Sequence, residues 1–598
     1  MVILIGLSVF MVILFSIMRL SSNLSKGNIS YCILKLSMPF LVLLGLLNWL
    51  VNVKEVNFCV LISPMILAIM TMYMFPFLYY LTNKGSGQKF FWVHDFEYGL
   101  YVSIMVLCIQ IITGHFIKQP IICSAINGMI IVIFSIPSMF LLSYWLLYKK
   151  VIDFNTVQTI FYTTKREAYE WYLSINLKSI IMIMLLCATL VGGMLVWVRD
   201  IAINIESYNE ILTIVLIFFI VSFIVFRKNR GIVFRTGLGN YLSLFKDYQK
   251  QLDCYRTNHK ENVLNFNMKS DLPEKFGTII LVVGESANRD YMSSFSDYCR
   301  ETTPWLDGNL NNDNFYYFHN SYSTHTQTAT TIPLALTNAN QYNKMLFSET
   351  VTIIDIANEC GFKTFWFSNQ NIVDSSSTPS SMIADSAYLK RWILEDYPCV
   401  QYDEKLLEYF KLVPNDESNK FIVFHLKGSH IDFNCRYPKN FEKWPVKPGD
   451  RLGQNPYDNS ILYTDFVLKE IYDYAMKHLN LQAMVYFSDH GTEIGVKRSP
   501  HFDSFKSVRI PFFVWLSDKY KEIYPETAQN LSRNKEKYFV NDYIFDFFMG
   551  IFQVTSEKIN KTDDICSGLY THTKDTLFTD LGRVCLADEE YYETNKNL

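Results

Sequence analysis

The sequence predicts two parts: an N-terminal bundle of transmembrane α-helices and a C-terminal α/β domain with a mainly parallel central sheet. Three observations lead to this prediction. Long apolar runs recur through the first 227 residues, the chain becomes polar after Arg227, and short β-branched or aromatic runs follow in the second half. With 598 residues, half of them hydrophobic, the chain is also too long for one ordinary domain.

Seven apolar runs are candidates for membrane-spanning helices, because about 20 helical residues cross about 30 Å of hydrocarbon. The first lacks the basic start and the small-residue cleavage site of a signal peptide, so we count it as a helix. We therefore expect five to seven spans, over approximately residues 1–19, 31–53, 56–81, 98–117, 120–148, 178–198 and 209–226.

An odd number of spans places the C-terminal half on the opposite side of the membrane from the N-terminus. With a cytoplasmic N-terminus, the C-terminal half is extracytoplasmic. The positive-inside rule opposes this orientation, since Lys149, Lys150, Lys165 and Arg166 then lie outside. The expected orientation therefore depends on helix parity and on the chemistry of the second half.

Composition also sets the expected boundaries and excludes some functions. We predict a transmembrane bundle over 1–227, an amphipathic linker over 228–275 and a globular domain over 276–598. A net charge of -3 and the lack of a dense basic stripe argue against nucleic-acid binding. The soluble-half cysteines show no C-x-x-C spacing, which argues against a cysteine metal site, whereas a disulfide between Cys566 and Cys585 stays open.

Four predicted strands end directly before residues with chemical uses. Because the carboxyl ends of parallel strands meet at one edge of a sheet, these residues should share a cleft. The runs are 278–283 before Gly284-Glu285-Ser286, 364–367 before Ser368-Asn369-Gln370, 421–426 before Gly428-Ser429-His430, and 484–487 before Ser488-Asp489-His490.

Glu285, His430, Asp489 and His490 are candidate ligands of a hydrolytic Zn²⁺ or a related divalent ion, which carboxylates and imidazoles bind. His501 could reach the same edge from a loop. A single histidine of this kind is more often structural. Several of them at strand ends favour a metal centre.

A nucleophile is expected in the threonine-rich stretch that precedes an apolar helical run. Hydroxyl groups there lie at a helix N-terminus, which favours negative charge and offers free N–H groups to a phosphate. N-capping alone explains one such residue but not five. Residue type does not choose among Thr324, Thr326, Thr328, Thr330 and Thr331.

The segments Gly284-Glu285-Ser286-Ala287-Asn288-Arg289 and 298–304 resemble the phosphoethanolamine transferases of Gram-negative envelopes, in the sulfatase and alkaline-phosphatase superfamily. The resemblance covers essentially residues 275–550 and implies a sulfatase-like domain. It continues in order through residues 328–333, 361–366, 402–404, 428–430, 436–438, 488–491 and His501.

The resemblance implies a role for each candidate. Glu285, Thr328, Asp489 and His490 would bind the catalytic zinc, as one ion or two rather than Mn²⁺, and Thr328 would become modified by phosphoethanolamine. The family histidines matched by His430 and His501 contact the phosphoryl group or a second metal, and they protonate the leaving alkoxide.

A second resemblance lies in the membrane half. Residues 159–168, in an expected periplasmic loop over 149–177, resemble a loop that helps to bind the donor lipid. Together with strand-end residues, this implies a set of substrate-binding residues: Thr159, Thr163, Glu167, Asn369 and Gln370.

Two positions depart from the lipid A-modifying members of the family. Those members commonly have Asn where Thr159 stands, and they place a Lys after the strand at 364 that this chain lacks. The forms Trp-Phe-Ser-Asn-Gln and Gly-Glu-Ser-x-Asn-Arg favour the branch that decorates the lipopolysaccharide core or other periplasmic glycans.

We therefore expect a monomeric inner-membrane enzyme with its catalytic domain in the periplasm. It would transfer phosphoethanolamine from phosphatidylethanolamine to lipopolysaccharide or a related envelope glycan through a phosphothreonine intermediate. The alternatives are a phosphoglycerol transferase, a sulfatase or phosphodiesterase, and an inactive receptor or scaffold. Sulfatases of this superfamily use a processed Cys or Ser, and neither stands at Thr328.

Overall fold

The computed structural model describes residues 2–20, 26–52, 58–82, 92–117, 119–174, 230–370, 378–393, 401–495 and 501–594, with a few residues between 178 and 220. Its internal contacts divide the chain into two compact units. The first consists of Met1–Val157 and Ile175–Asp247, and the second of Gln158–Ser174 and Tyr248–Leu598.

Long apolar helices make up the first unit. They are α1 (Val2–Leu20), α2 (Lys26–Asn52), α3 (Phe58–Thr82), α4 (Val93–Phe116) and α5 (Pro120–Tyr148). By length and composition, four stretches of the described chain can cross a membrane: Ile29–Asn48, Pro64–Thr82, Val93–Gly114 and Ile121–Tyr148.

The first predicted span corresponds to a shorter apolar stretch, Ser8–Leu20 in α1. Five of the seven predicted runs are therefore helical. The sixth and seventh, 178–198 and 209–226, lie mostly outside the described residues. The total number of spans stays a prediction.

After α5, the described part of the chain contains the helices α6 (Phe154–Tyr162), α7 (Lys165–Ser174), α8 (Arg230–Arg235) and α9 (Gly237–Phe266). A capping box starts α7: the Thr164 hydroxyl accepts the amide of Glu167 at 3.3 Å, and the Glu167 carboxylate accepts the amide of Thr164 at 3.1 Å. The long helix α9 covers much of the predicted linker, 228–275.

A seven-stranded sheet lies at the centre of the second unit, in the order β2-β7-β6-β1-β5-β3-β4. Strands β2 and β7 run antiparallel to their neighbours, and all other pairs are parallel. This confirms the predicted mainly parallel sheet. The strands are β1 (Thr278–Gly284), β2 (Phe315–Tyr317), β3 (Lys363–Ser368), β4 (Leu389–Trp392), β5 (Lys420–His425), β6 (Leu481–Ser488) and β7 (Phe512–Leu516).

Both faces of the sheet are covered, which is why β1, β5 and β6 read as continuous apolar runs rather than alternating ones. Successive side chains of β1 point to opposite faces and enter two separate hydrophobic cores. Ile280 and Val282 lie in the core to which α14 (Gln454–His478) contributes. Leu281 and Val283 lie in the other, with α17 (Ile544–Ile551).

Shorter elements complete the second unit. The remaining helices are α10 (Pro304–Asp307), α11 (Thr328–Ala335), α12 (Ile353–Glu359), α13 (Pro379–Ala384), α15 (Asp518–Ile523), α16 (Pro525–Asn534) and α18 (Glu589–Thr594). Short strand pairs join Lys269–Ser270 to Val554–Thr555, Ser321–Tyr322 to Phe539–Val540, and Phe578–Thr579 to Val584–Cys585. Cys566 and Cys585 are both free thiols, so the disulfide considered from the sequence is not formed.

Candidate active site

The register of the sheet brings the ends of β1 and β6 together. Gly284, the last residue of β1, lies opposite Ser488, the last residue of β6. The amide of Asp489 then donates to the carbonyl of Gly284 at 3.0 Å. Glu285 and Asp489 therefore leave adjacent strands side by side.

Glu285, Asp489 and His490 form a buried cluster. One ligand atom from each of them lies within 4.8 Å of the others. The Nε2 atom of His490 is 3.4 Å from Oε1 of Glu285 and 3.4 Å from Oδ2 of Asp489. All three side chains are almost fully buried. Two carboxylates and an imidazole at these distances could hold a divalent cation.

The ring of His490 is oriented by its other nitrogen. Nδ1 lies 2.7 Å from the carbonyl oxygen of Gly491. Because a carbonyl only accepts hydrogen bonds, Nδ1 carries a proton, and Nε2 faces the two carboxylates. Metal-binding histidines are typically held by such a second hydrogen bond.

Ser286 holds both carboxylates. Its backbone adopts a left-handed conformation with φ of 59°, and its amide donates to Oδ1 of Asp489 at 3.0 Å. Its hydroxyl donates to Oε1 of Glu285 at 2.7 Å. A non-glycine residue with positive φ at a strand end is the kind of constraint that functional sites tolerate. Sequence reasoning saw Ser286 only as part of a motif.

The ionised form of Asp489 is electrostatically unfavourable without a cation. Burial, together with the negative charge of Glu285, raises the pKa of Asp489 above its usual range. Its Oδ1 atom accepts amide hydrogen bonds from Ser286 and His490, whereas its buried Oδ2 atom accepts none from the described part of the chain. A bound cation would supply the partner that this oxygen lacks.

Thr328 is the hydroxyl residue that contacts the cluster. It is the first residue of α11, and its Oγ1 atom donates to Oε2 of Glu285 at 2.9 Å. The same atom lies 3.5 Å from Nε2 of His490. Among the five threonines considered, the hydroxyl groups of Thr324, Thr326 and Thr330 are buried and form no hydrogen bond with the described residues, and that of Thr331 donates to the carbonyl of Gln327.

The two strand-end residues after β3 differ in their contacts. The side-chain amide of Gln370 donates to Oε2 of Glu285 at 3.3 Å and to the carbonyl of Leu426 at 2.6 Å. The side-chain amide of Asn369 instead donates to the buried carboxylate of Asp403 at 2.7 Å. Gln370 therefore contacts the cluster, whereas Asn369 contacts Asp403 outside it.

The turn after β5 packs on the backbone of Glu285. Asp403 accepts the amides of Lys427 and Gly428, both at 2.8 Å, and the amide of Ser429 donates to the carbonyl of Glu285 at 2.9 Å. Gly428 has a φ of 50°, and a Cβ atom there would lie 2.8 Å from the Glu285 carbonyl oxygen. Glycine is therefore required at this close approach.

The two remaining histidines lie outside the three-residue cluster. His430 is half-buried at the end of the turn, with Nδ1 2.8 Å from the carbonyl of Ile431. His501 is half-buried beside the undescribed segment 496–500. Their roles at the phosphoryl group stay predictions.

The predicted donor loop contacts the site through Thr159 and Glu167, all within the second unit. The Thr159 hydroxyl donates to the side chain of Gln327, the residue before Thr328, at 3.3 Å. The Thr163 hydroxyl donates back to the carbonyl of Thr159 at 2.6 Å.

Glu167 forms a 3.0 Å ion pair with Lys427. Burial alone would raise the pKa of Glu167, but the positive charges of Lys427 and His430 lower it to about 2. Sequence reasoning missed Lys427. The sequence feature that could have identified it is the position of this lysine between an apolar strand and Gly428.

Other residues that fix the site were also missed. The Asn541 side chain donates to the carbonyl of Asp489 at 2.8 Å. The Tyr457 hydroxyl, on α14, donates to the carbonyl of Ser286 at 2.9 Å. Neither residue has a local sequence signal, because each reaches the site from a distant element.

Comparisons with known proteins show what the chain is similar to. The sequence profile of the Sulfatase family matches residues 277–555. Phosphoethanolamine transferase EptC of Escherichia coli K12 is 28% identical over 70% of this chain and 78% of its own length. Phosphoethanolamine transferase CptA of Salmonella typhimurium is 26% identical over 73% of this chain and 80% of its own.

A solved structure shows the same fold across both parts of the chain. The integral membrane protein lipooligosaccharide phosphoethanolamine transferase A (EptA) from Neisseria meningitidis superposes with a TM-score of 0.55 at 18% identity. The match covers 84% of this chain and 98% of that protein. The chain thus carries a sulfatase domain behind apolar helices, and it is a homologue of the phosphoethanolamine transferases of the alkaline-phosphatase superfamily.

Proposed function

We propose that this protein transfers phosphoethanolamine from phosphatidylethanolamine to lipopolysaccharide or a related envelope glycan, through a phosphothreonine intermediate at Thr328. The observation that carries the proposal is the hydrogen bond from the Thr328 hydroxyl to Glu285, inside the cluster with His490. The choice of phosphoethanolamine as the transferred group rests on the relatives, which are named phosphoethanolamine transferases.

The cell location and the domain boundaries belong to the same proposal. We place the protein in the bacterial inner membrane as a monomer, with a bundle over 1–227, a linker over 228–275 and a periplasmic catalytic domain over 276–598. Four described helices that can cross a membrane support the membrane location. A lipid donor also explains why a bundle accompanies the catalytic domain.

The spacing of the cluster supports zinc as the cation. Tetrahedral zinc with bonds of about 2.0–2.1 Å separates its ligand atoms by about 3.3–3.4 Å. Nε2 of His490 lies 3.4 Å from Glu285, 3.4 Å from Asp489 and 3.5 Å from the Thr328 hydroxyl. We propose one zinc ion held by these four residues. A second ion would need His430 and His501.

The residues then act in a double displacement. When bound, zinc would lower the pKa of the Thr328 hydroxyl and neutralise phosphoryl charge. Glu285 already accepts the hydrogen bond of that hydroxyl and is placed to take its proton.

The Thr328 oxygen forms a bond to phosphorus, the bond to the diacylglycerol oxygen breaks, and His430 or His501 protonates that oxygen. An acceptor hydroxyl then gives its proton to that histidine and forms a bond to phosphorus, the bond from phosphorus to the Thr328 oxygen breaks, and Glu285 returns the proton to Thr328. The first-turn amides of α11 favour the negative charge that develops beside them.

The alternatives have less support. Phosphoglycerol transfer and a receptor or scaffold role are not favoured, because the named relatives are phosphoethanolamine transferases and the carboxylate–histidine–threonine cluster is complete.

Intact mass spectrometry of the full-length protein tests the nucleophile. After incubation with phosphatidylethanolamine, the wild type should gain one phosphoethanolamine, and Thr328→Ala should gain none. Thr330→Ala is the matched control on the same helix and should keep the adduct, because the Thr330 hydroxyl makes no hydrogen bond within the part of the chain that the structure describes. An adduct that persists in Thr328→Ala would exclude Thr328 as the nucleophile.

A further inference from the structure

A connecting segment, residues 323–327, leads from the short strand Ser321–Tyr322 to Thr328 at the start of α11. The segment forms no helix or strand of its own, and all five of its residues are buried. Buried backbone groups need hydrogen-bond partners, and here other elements supply them. The position of the Thr328 hydroxyl relative to Glu285 therefore depends on the contacts that hold this segment.

The amides at the start of the segment bond to residues within the Sulfatase match, 277–555. The amide of Ser323 donates to the carbonyl of Val508 at 2.8 Å. The amide of Thr324 donates to the side chain of Asn541 at 3.0 Å, and that side chain donates in turn to the carbonyl of Asp489 at 2.8 Å. One side of the segment is thus attached to a residue of the candidate zinc site.

The carbonyls of the same two residues bond to a different element, which we call the C-terminal hairpin, residues 578–585. The Thr579 hydroxyl donates to the carbonyl of Ser323 at 2.7 Å. The amide of Leu581 donates to the carbonyl of Thr324 at 3.0 Å. The hairpin lies beyond the residues that match the Sulfatase profile, yet it holds the backbone that leads to the proposed nucleophile.

The turn of the C-terminal hairpin has a strained backbone. Asp580, Leu581 and Gly582 have φ values of 50°, 57° and 80°, which only glycine adopts without a steric cost. Such strain persists where surrounding contacts hold it, and it is common at functional sites. Besides the bond from Leu581, the Gln341 side chain accepts the amide of Gly582 at 2.8 Å, and Oδ1 of Asp580 lies 3.5 Å from Nε2 of His325.

We infer that the C-terminal hairpin positions the nucleophile, with Thr579 as a positioning residue. By holding the carbonyls of Ser323 and Thr324, the hairpin fixes the segment and keeps the Thr328 hydroxyl within hydrogen-bonding distance of Glu285. Loss of the Thr579 hydroxyl removes a hydrogen bond from a buried carbonyl, and the segment then shifts. This inference rests on the proposed function and extends it to how the nucleophile is held in place.

Thr579→Val tests the inference, because valine keeps the shape of threonine and removes its hydroxyl. Full-length protein in mixed micelles is incubated with increasing mole fractions of phosphatidylethanolamine, and the rate of adduct formation is followed by intact mass. Thr278→Val is the matched control. Thr278 is equally buried, and its hydroxyl donates to the carbonyl of Leu479 at the opposite end of β1 from Glu285.

Thr579→Val should lower the maximal rate of adduct formation by about ten-fold or more, since small displacements of a reacting group have effects of this size. The half-saturating fraction of phosphatidylethanolamine and the bound zinc should stay unchanged, because only the nucleophile is displaced. Thr579→Ser, which keeps a hydroxyl, should recover most of the rate. Thr278→Val should lose similar stability and keep the wild-type rate.

Amide hydrogen exchange over residues 323–331 provides a readout that does not require activity. Exchange in this stretch should be faster in Thr579→Val than in the wild type and unchanged in Thr278→Val. Equal adduct rates in the two variants, or a slower rate in Thr579→Val without faster exchange, would overturn the inference. A wild-type protein that forms no adduct would instead refute the proposed function, and exchange would still decide whether the hairpin holds the segment.

A second pair of variants serves if Thr579→Val does not fold. Gly582→Ala alters the exposed turn of the hairpin, and Gly361→Ala is its control outside the hairpin. The two glycines have φ values of 80° and 81°, so both substitutions strain the backbone alike. Only Gly582→Ala should slow adduct formation and speed exchange over 323–331. Identical behaviour of the two variants would contradict the inference.

Discussion

At the scale of single residues, hydrogen bonds to the backbone set the orientation of the side chains in the cluster. His490 donates through Nδ1 to Gly491, and Asp489 accepts two amides through Oδ1. Their other side-chain atoms, Nε2 and Oδ2, lie 3.4 Å apart. Backbone hydrogen bonds thus fix the orientation of both candidate ligands, which lowers the entropic cost of binding a cation.

Zinc content is the first prediction at this scale. Glu285→Gln and Asp489→Asn should each reduce bound zinc from about one ion per chain to a small fraction, measured by elemental mass spectrometry. Asp465→Asn is the control, since Asp465 is a buried carboxylate that holds the amides of Trp305 and Leu306 elsewhere.

Stability provides an independent readout of the same site. A chelator should lower the wild-type unfolding free energy by on the order of 3 kcal/mol, because it leaves two buried carboxylates facing each other. Glu285→Gln should respond much less. Unchanged zinc in both cluster variants would rule out the proposed centre.

At the scale of elements, the turn after β5 links the sheet to the site. It is short, tied to Asp403 by two amides, and in contact with the Glu285 backbone at Gly428. The parallel register of β5 with β1, which sets Val283 opposite His425, brings this turn to Glu285. The position of the cluster therefore depends on a backbone contact as much as on its side chains.

Gly428→Ala tests this contact, with Gly361→Ala as the matched control. Both glycines have positive φ, but a Cβ atom at Gly361 would lie more than 4 Å from every atom of the other described residues. Gly361→Ala should cost about 1 kcal/mol of stability and keep the adduct rate. Gly428→Ala should cost about 2–4 kcal/mol and lower the adduct rate and zinc content, because Glu285 must shift. Equal effects in thermal unfolding and adduct assays would refute the role of the contact.

At the scale of the whole molecule, the number of membrane spans determines which side of the membrane the catalytic domain faces. Four described stretches can cross a membrane, and α1 carries a shorter apolar stretch. An odd total places residues 276–598 outside when the N-terminus is inside, and a lipid donor and glycan acceptor suit that side. The basic residues near Lys149 and Lys165 argue for the opposite orientation.

Reporter fusions test the orientation. A reporter that is active only outside the cytoplasm should be active after residue 598 and after residue 150, and inactive after residue 118. This pattern follows from five spans before residue 150 and an odd total. A complementary reporter that fluoresces only in the cytoplasm should show the reverse. Cytoplasmic signal after residue 598 would refute the periplasmic proposal.

The sequence by itself determined the helical and α/β parts, the four strands, and the residues at their ends. These features are local: apolar length, β-branched runs and the residues that follow them require no knowledge of distant contacts. The convergence of Glu285, Asp489 and His490 also followed, because parallel strands present their carboxyl ends at one edge.

Only the tertiary structure decided which side chains meet. It set Thr328 apart from four neighbouring threonines through a contact 43 residues away, and it paired Lys427 with Glu167 across 260 residues. It also directed Asn369 to Asp403 rather than to the cluster. Such contacts depend on how elements pack in three dimensions, and no local pattern of residues encodes them.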